Sequence, residues 1–308
     1  MPKIKLKYPE FNTILNEYLN LDEFSTLSNL TISGKRIALS SLLNYLGDIG
    51  ITNLQNCQQK HVTAHLCSIA NLSSSTISGR CFIFRHFFNY LYKKGITPYS
   101  GNELFPVIFT NKRARILSFY SIEEIKKVTS AVDRNNPAGK RDLTILLLAA
   151  ELGMRSGDIC RLRIKDIRWE RNTIEFTQHK TKVFNQLPLL ENIKYALIDY
   201  IKNVRPSCEC QYVFVGIKNG YAPLSNTCIH QFISKYFAKA GIDISERKHG
   251  PHAMRHSLAS NLLSNNTPMH VIKDILGHTN LNTTKIYLNI DIDLLKSFAL
   301  EVPYETAY

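Results

Sequence analysis

The chain has 308 residues, with 44% hydrophobic, 10% aromatic and 20% charged side chains, enough apolar material for a substantial core and too much for a disordered chain. Lysine and arginine outnumber aspartate and glutamate by 38 to 25, a formal charge of +13, which suits a polyanionic partner without identifying one. The longest apolar run, Ile145 to Ala150, falls far short of the roughly 20 residues that span a bilayer, and the basic start from Met1 to Lys7 has no apolar segment behind it, so the expectation is a cytoplasmic protein with no membrane partner. Seven cysteines at irregular spacings read as reduced thiols rather than a disulfide framework, and Cys208-Glu209-Cys210 alone is a weak metal signal.

A length of 308 residues predicts two domains. Residues 10 to 108 read as helices separated by polar turns. Thr31 or Ser33 is expected to cap a helix that carries Ile37, Leu39, Leu42, Leu43 and Leu46 at helical spacing and stops at Gly50. A second helix opens in Ser73 to Thr76, buries Phe84, Phe87, Phe88 and Leu91, and closes at Lys93, Lys94 and Gly95. Pro106 to Leu117 then reads as extended chain, and Ser121 with Glu124 forms a capping box for a new helix. The predicted division is therefore a helical domain over 1–111, a linker over 112–118 and a second domain over 119–308.

Beyond the linker, Asp142 to Gly153 is an apolar helix. Ile164 to Trp169, Thr173 to Thr177 and Val183 to Leu187 read as a small three-stranded antiparallel sheet. Helices follow at 191–203, 225–240, 252–264, 268–276 and 282–290, with Thr267-Pro268 as N-cap and first helical residue and Gly277 as a stop. The predicted fold class is mainly α with this one small sheet.

Several residues could carry chemistry. His252 and Arg255, three apart on a helix, share a face and can grip one anion. His252 and His256, four apart, have the spacing of a zinc pair, but that reading needs further ligands and a glutamate where Ala253 stands, so a DNA-facing or capping role is the better reading. Arg155, in Gly153-Met154-Arg155-Ser156-Gly157-Asp158, sits at a helix-to-helix corner, and Lys180 at the tip of the predicted hairpin. His278 follows Leu276-Gly277, and Tyr287 comes nine residues later. Taken singly, these are a surface arginine, a solvated lysine and an ordinary tyrosine.

Taken in order, the set resembles the tyrosine recombinase (phage-type integrase) family. Gly153 to Asp158 is similar to the family's Gly-Leu-Arg-x-x-Glu, with Asp158 in place of glutamate; Lys180 precedes Pro188-Leu189 by the interval of the family's hairpin lysine. His252 and Arg255 match the His-x-x-Arg box, Leu276-Gly277-His278 the Leu-Gly-His box, and Tyr287 the position of the nucleophile. The likeness covers about 115 to 300, and the helical segment before it looks like the family's core-binding domain.

The resemblance implies a core-binding domain followed by a catalytic domain, and an enzyme that cuts and rejoins DNA at specific sites through a 3′-phosphotyrosine, with no cofactor and no metal. Tyrosine, with a reference pKa near 10, becomes a usable nucleophile among cations, which gives Tyr287 that role. Arg155 and Arg255 would hold the non-bridging oxygens, and Lys180 would protonate the leaving 5′-oxygen. His252 and His278 would share the general-base and phosphoryl-binding roles, which of them is the base being left open, while Asp158 would orient its neighbours. Ile290, Leu294, Leu295 and Phe298 form an apolar stripe after the tyrosine; in the family such a helix docks on a neighbouring protomer, implying a tetramer on synapsed double-stranded DNA, the other reading being packing in cis. Lys35, Arg36 and Arg80 in the first domain, and Arg113 and Arg115 in the linker, are candidate phosphate contacts. The rival readings are a type IB topoisomerase-like enzyme and a non-catalytic sequence-specific DNA-binding regulator.

Overall fold

The computed structural model describes residues 5–109, 119–216 and 221–277, and the chain divides into two compact units, Met1–Ala114 and Arg115–Tyr308. The linker expected over 112–118 and the helix expected over 282–290 lie outside the described residues.

The described part of the first unit is helical: α1 (Asn12–Leu19), α2 (Asn29–Asp48), α3 (Gln59–Ser68), α4 (Ser74–Lys93) and the single turn α5 (Gly101–Leu104). Ser73 caps α4 as expected, accepting from the Thr76 amide. The cap of α2 is Ser28 rather than Thr31 or Ser33. Ser28 has extended backbone and its Oγ takes the Thr31 amide at 3.2 Å, so the helix is nucleated three residues before the first expected cap. Leu39, Leu42, Leu43 and Leu46 of α2 and Phe84, Phe87, Phe88 and Leu91 of α4 are fully buried, at spacings of three and four that put each set on one face. Each contributes about 1.5–3 kcal/mol on burial. Tyr18 of α1 closes this core edge-on against Phe87, with ring centroids 5.0 Å apart.

The second unit is arranged around α7 (Pro137–Ala150), which packs on α6 (Ile122–Ser130), α8 (Ser156–Arg161), α9 (Glu191–Asn203), α10 (Asn226–Lys239) and α11 (Pro251–Ser264). The Ser121–Glu124 capping box opens α6. α7 begins at Pro137, five residues before the expected start at Asp142, because Asn136 and Pro137 supply an N-cap and a first helical residue; Asn136 Oδ1 accepts from Gly139 at 2.7 Å. Asp142 is thereby inside the helix and buried, accepting from Tyr236 Oη at 2.9 Å and from Arg141 at 2.7 Å.

Between α8 and α9 lies the antiparallel sheet β1 (Ile167–Arg168), β2 (Thr173–Thr177) and β3 (Phe184–Pro188), in that order, with Ile167 opposite Ile174 and Ile174 opposite Leu187. The first strand is shorter than expected. Ile164–Asp166 is a 3₁₀ turn, closed by the Arg163 amide on Asp166 Oδ2 at 2.9 Å, which leaves two residues for pairing. β3 starts one residue later than expected, because the Val183 carbonyl is used by the hairpin turn. The last described helix, α12 (Met269–Leu276), is entered through Pro268 in extended conformation, so Pro268 is the cap and Thr267 lies before it; the expected pairing of these two residues is shifted by one. Gly277 ends α12 in the left-handed conformation, φ 59°. Among the described residues no helix is long and apolar enough to cross a membrane.

His65 in α3 is 2% exposed, lies between the rings of Tyr45 and Phe84, and neither ring nitrogen has a hydrogen-bond partner among the described residues. Burial, then the charge of Arg80, pushes its pKa down to about 4. The unfolded chain binds this proton below about pH 6.5 and the folded chain resists it, so stability is lost as pH falls from 6.5 towards 4, by about 3 kcal/mol. Denaturation of His65→Phe followed by circular dichroism at pH 7.5 and 4.5 should show a smaller acid destabilisation than the parent.

Candidate active site

Gly153, at φ 59°, turns the chain sharply after α7; a Cβ there would press on Leu276 at 2.9 Å and Leu258 at 3.0 Å. Met154 is buried beside it, and Arg155 becomes the N-cap residue of α8, half-buried, with Nη1 donating to Gln178 Oε1. Helix formation immediately after the glycine corner is what brings this guanidinium to the sheet.

Gln178 continues the inward alternation of β2, in which Ile174 and Phe176 face the core. Its amide donates to the Val183 carbonyl and its own carbonyl accepts from the Lys182 amide, both at 2.9 Å, so the hairpin turns tightly through Lys182 at φ 59° and exposes Lys180 at its tip. Asp158, on the first turn of α8 and 4% exposed, holds the same turn from the other side: its Oδ1 accepts from the His179 amide at 2.7 Å. Its Oδ2 has no hydrogen-bond partner among the described residues.

The third contribution is the start of α11. Gly250, at φ 103°, lies against the His230 ring and is followed by Pro251, so His252 falls on the first turn and Arg255 one turn on. Arg255 is 5% exposed; its Nη1 donates to the Gly153 carbonyl at 2.6 Å and its Nη2 to the Leu276 carbonyl. His252 is exposed on the first turn of the helix. Burial and then the charges of Arg255, Lys180, Arg155 and His230 lower its pKa, favouring a neutral imidazole. His256 is pushed down to about 4, by burial first and then by His252 and Arg255.

Four of the residues singled out in the sequence, Arg155, Lys180, His252 and Arg255, are thus gathered from three separate stretches, with Asp158 and the unforeseen Gln178 behind them. His278 and Tyr287 lie outside the described residues, as do Arg113 and Arg115. In the first unit, Lys35 Nζ sits 3.9 Å from the centre of the Phe24 ring, Arg36 donates to Asn16 Oδ1 at 2.9 Å, and Arg80 is half-buried near His65. Lys35 and Arg36 therefore have a packing or bonding role within their own unit. Among the described residues no three histidine, cysteine, aspartate or glutamate side chains are grouped so as to hold a metal ion. The sequence signal for Gln178 was present, a polar residue on the inward register of a strand, but its partners are distant in the chain.

Residues 119–292 match the phage integrase family. The chain belongs to that family. It is similar to a putative integrase/recombinase, y4gC, of Sinorhizobium fredii, 34% identical over 176 residues that make up 57% of this chain and 90% of that protein. It is similar over nearly its whole length to tyrosine recombinase XerC of Bacillus pumilus, 26% identical over 91% of this chain and 92% of that one. Its fold is that of the XerH recombinase in a post-cleavage complex with a palindromic difH substrate, with a TM-score of 0.74 at 20% identity, covering 92% of this chain and 82% of that chain. Some other curated relatives are longer, the chain spanning 42% of a second Sinorhizobium fredii protein, y4rF. As a phage integrase family member, the chain is a tyrosine recombinase, a DNA strand-exchange enzyme.

The Leu276-Gly277 corner is the tightest point of this arrangement, since a Cβ on Gly277 would fall 2.1 Å from Gln178 Nε2 in addition to the strain of a left-handed backbone. Gly277→Ala should lower unfolding stability by at least about 1 kcal/mol, read as a shift of the urea midpoint.

Proposed function

We propose that the chain acts as a multimer on paired double-stranded DNA sites and cuts and rejoins them through a 3′-phosphotyrosine formed by Tyr287. The observation that carries the reading is that Arg155 and Arg255, from separate stretches, are joined through Gln178 and the Leu276 carbonyl, with both charges and that of Lys180 bearing on His252. Such a cluster matches the negative charge of a phosphodiester passing through a pentacoordinate transition state.

In this reading the Tyr287 oxygen attacks phosphorus, a new phosphorus–oxygen bond forms, and the bond to the 5′-oxygen breaks. Arg155 and Arg255 bind the non-bridging oxygens; their guanidinium planes are held by Gln178 on one side and by the Gly153 and Leu276 carbonyls on the other. Loss of one such contact typically costs about 3–4 kcal/mol in the barrier. Lys180, carried on an exposed turn, donates a proton to the departing oxygen. The lowered pKa of His252 favours the neutral form near pH 7, the form able to accept the tyrosine proton, and an arriving phosphate would offset the cations that depress it. His278 shares the phosphoryl-binding or base role. Asp158 orients the hairpin through His179 rather than reacting. The chemistry needs no cofactor and no metal ion.

Residues 1–111 serve as the core-binding domain, 112–118 as the linker, and 119–308 as the catalytic domain with a C-terminal oligomerisation helix. Phosphate contacts supply most of the affinity, with Lys35, Arg36, Arg80, Arg113 and Arg115 as contributors. An open cleft of about 510 Å³ beside the hairpin is lined by Arg161, Arg163, Lys165, Arg168 and Lys182 against Asp158, Asp166 and Glu175, a modest positive balance. Action on DNA, together with the absence of a membrane-crossing helix among the described residues, supports a cytoplasmic location.

Tyr287→Phe is expected to abolish the covalent protein–DNA adduct while leaving duplex binding within a few-fold of the parent, measured by denaturing gel on a nicked duplex that the parent chain has selected from a random-sequence pool. An adduct that persists removes Tyr287 from the mechanism, and relaxation of supercoiled plasmid without recombinant products would favour the topoisomerase reading. Truncation after Asn289 should weaken synapsis more than site binding in a gel-shift assay, because it removes the apolar stripe of Ile290, Leu294, Leu295 and Phe298.

A further inference from the structure

Gln178 is 1% exposed, and every hydrogen-bonding group it owns is engaged by the parts of the site that have to move or hold together. Its side-chain Oε1 accepts from Arg155 Nη1 and from Thr181 Oγ1, the latter at 2.7 Å. Its Nε2 donates at 3.2 Å to the Leu276 carbonyl, the same oxygen that accepts from Arg255 Nη2. Its main-chain N–H and C=O close the turn that carries Lys180. One planar amide therefore touches the first arginine, the lysine hairpin and the carbonyl that anchors the second arginine. The absent Cβ of Gly277 leaves the space into which this amide packs.

We propose that Gln178 is a positioning residue that fixes the Lys180 hairpin relative to Arg155 and to the Leu276–Gly277 corner, so that proton donation to the leaving oxygen occurs only when both arginines are seated. The inference rests on the reading of Lys180 as the general acid. The physical reason is geometric. A lysine on an exposed turn has many conformations, and proton transfer requires its Nζ within hydrogen-bond reach of one oxygen atom at the moment the bond breaks. An amide has an acceptor and a donor at a fixed angle, so it can set the turn on one side and the α12 terminus on the other without adding charge beside the phosphate. The Thr181 hydroxyl, one residue from Lys180, transmits that setting to the tip.

A bridging sulfur separates this role from a merely structural one. When sulfur replaces the 5′-bridging oxygen, the phosphorus–sulfur bond breaks to release a thiolate, which leaves without a proton because a thiol is far more acidic than an alcohol. A misplaced Lys180 is then no handicap, whereas a misplaced Arg155 or a loosened fold still is. The probe is the nicked duplex selected from a random-sequence pool, made with oxygen or with sulfur at the bridging position, and the readout is single-turnover adduct formation by the full chain. Gln178→Leu, which also releases the Arg155 guanidinium, should slow both strands, the oxygen-bridged strand by about 100-fold and the sulfur-bridged strand at least about tenfold less. Thr181→Val, which removes only the half-buried hairpin-side bond, should show the same selectivity with a loss of about tenfold, and it carries the test if Gln178→Leu fails to fold. Unimpaired cleavage of the oxygen-bridged strand, or equal losses on both strands in either variant, overturns the inference while the parent chain still forms its adduct. A parent chain that forms no adduct on either strand sinks the Tyr287 reading itself, and this inference with it.

Discussion

The site depends on a buried guanidinium that must be satisfied by backbone oxygens. Arg255 is almost wholly enclosed, and a charge removed from water is tolerated only when its donors find acceptors of good geometry. Two of those acceptors are the carbonyls of Gly153 and Leu276, more than 100 residues apart in the chain. To face one arginine, both carbonyls have to lie at points where the chain reverses, which is where the left-handed glycines Gly153 and Gly277 occur. The same reversal after Gly153 delivers Arg155 to the mouth of α8, so anchoring one arginine positions the other.

This arrangement concentrates like charge. Among the described residues, the charged groups that bear on His252 are Arg255, Lys180, Arg155 and His230, all cationic or able to become so, and the imidazole responds by holding its proton less tightly. Such a cluster opposes folding, and the buried core around α7 together with the hydrogen bonds from Gln178 and Asp158 offsets it. A polyanion that entered the cluster would relieve the repulsion and would favour protonation of His252.

Local signals were legible wherever the physics is local. The capping box at Ser121, the cap at Ser73, the helix over 191–203 and the hairpin with Lys180 at its tip follow from side chains that act on backbone within four residues. The errors were also local competitions. Ser28 captured the start of α2 from Thr31, Asn136-Pro137 drew α7 forward by a turn, and Asp166 bent the expected first strand into a 3₁₀ turn. The role of Gln178 is not legible in the sequence, because a single glutamine near a lysine has no period or spacing of its own; its meaning lies in three partners at sequence separations of 3, 23 and 98.

By itself the order of residue types along the chain determined the family and the helical character with one small sheet, because the motif keeps its residues at fixed intervals and helical periodicity is a local property. Only the tertiary structure decided which atoms hold those groups in place: that Arg255 is anchored on two carbonyls, that Asp158 grips the hairpin through His179, and that Gln178 joins the three segments. Hydrogen bonds between distant segments arise from how a packed core brings turns together, and no local propensity encodes that meeting.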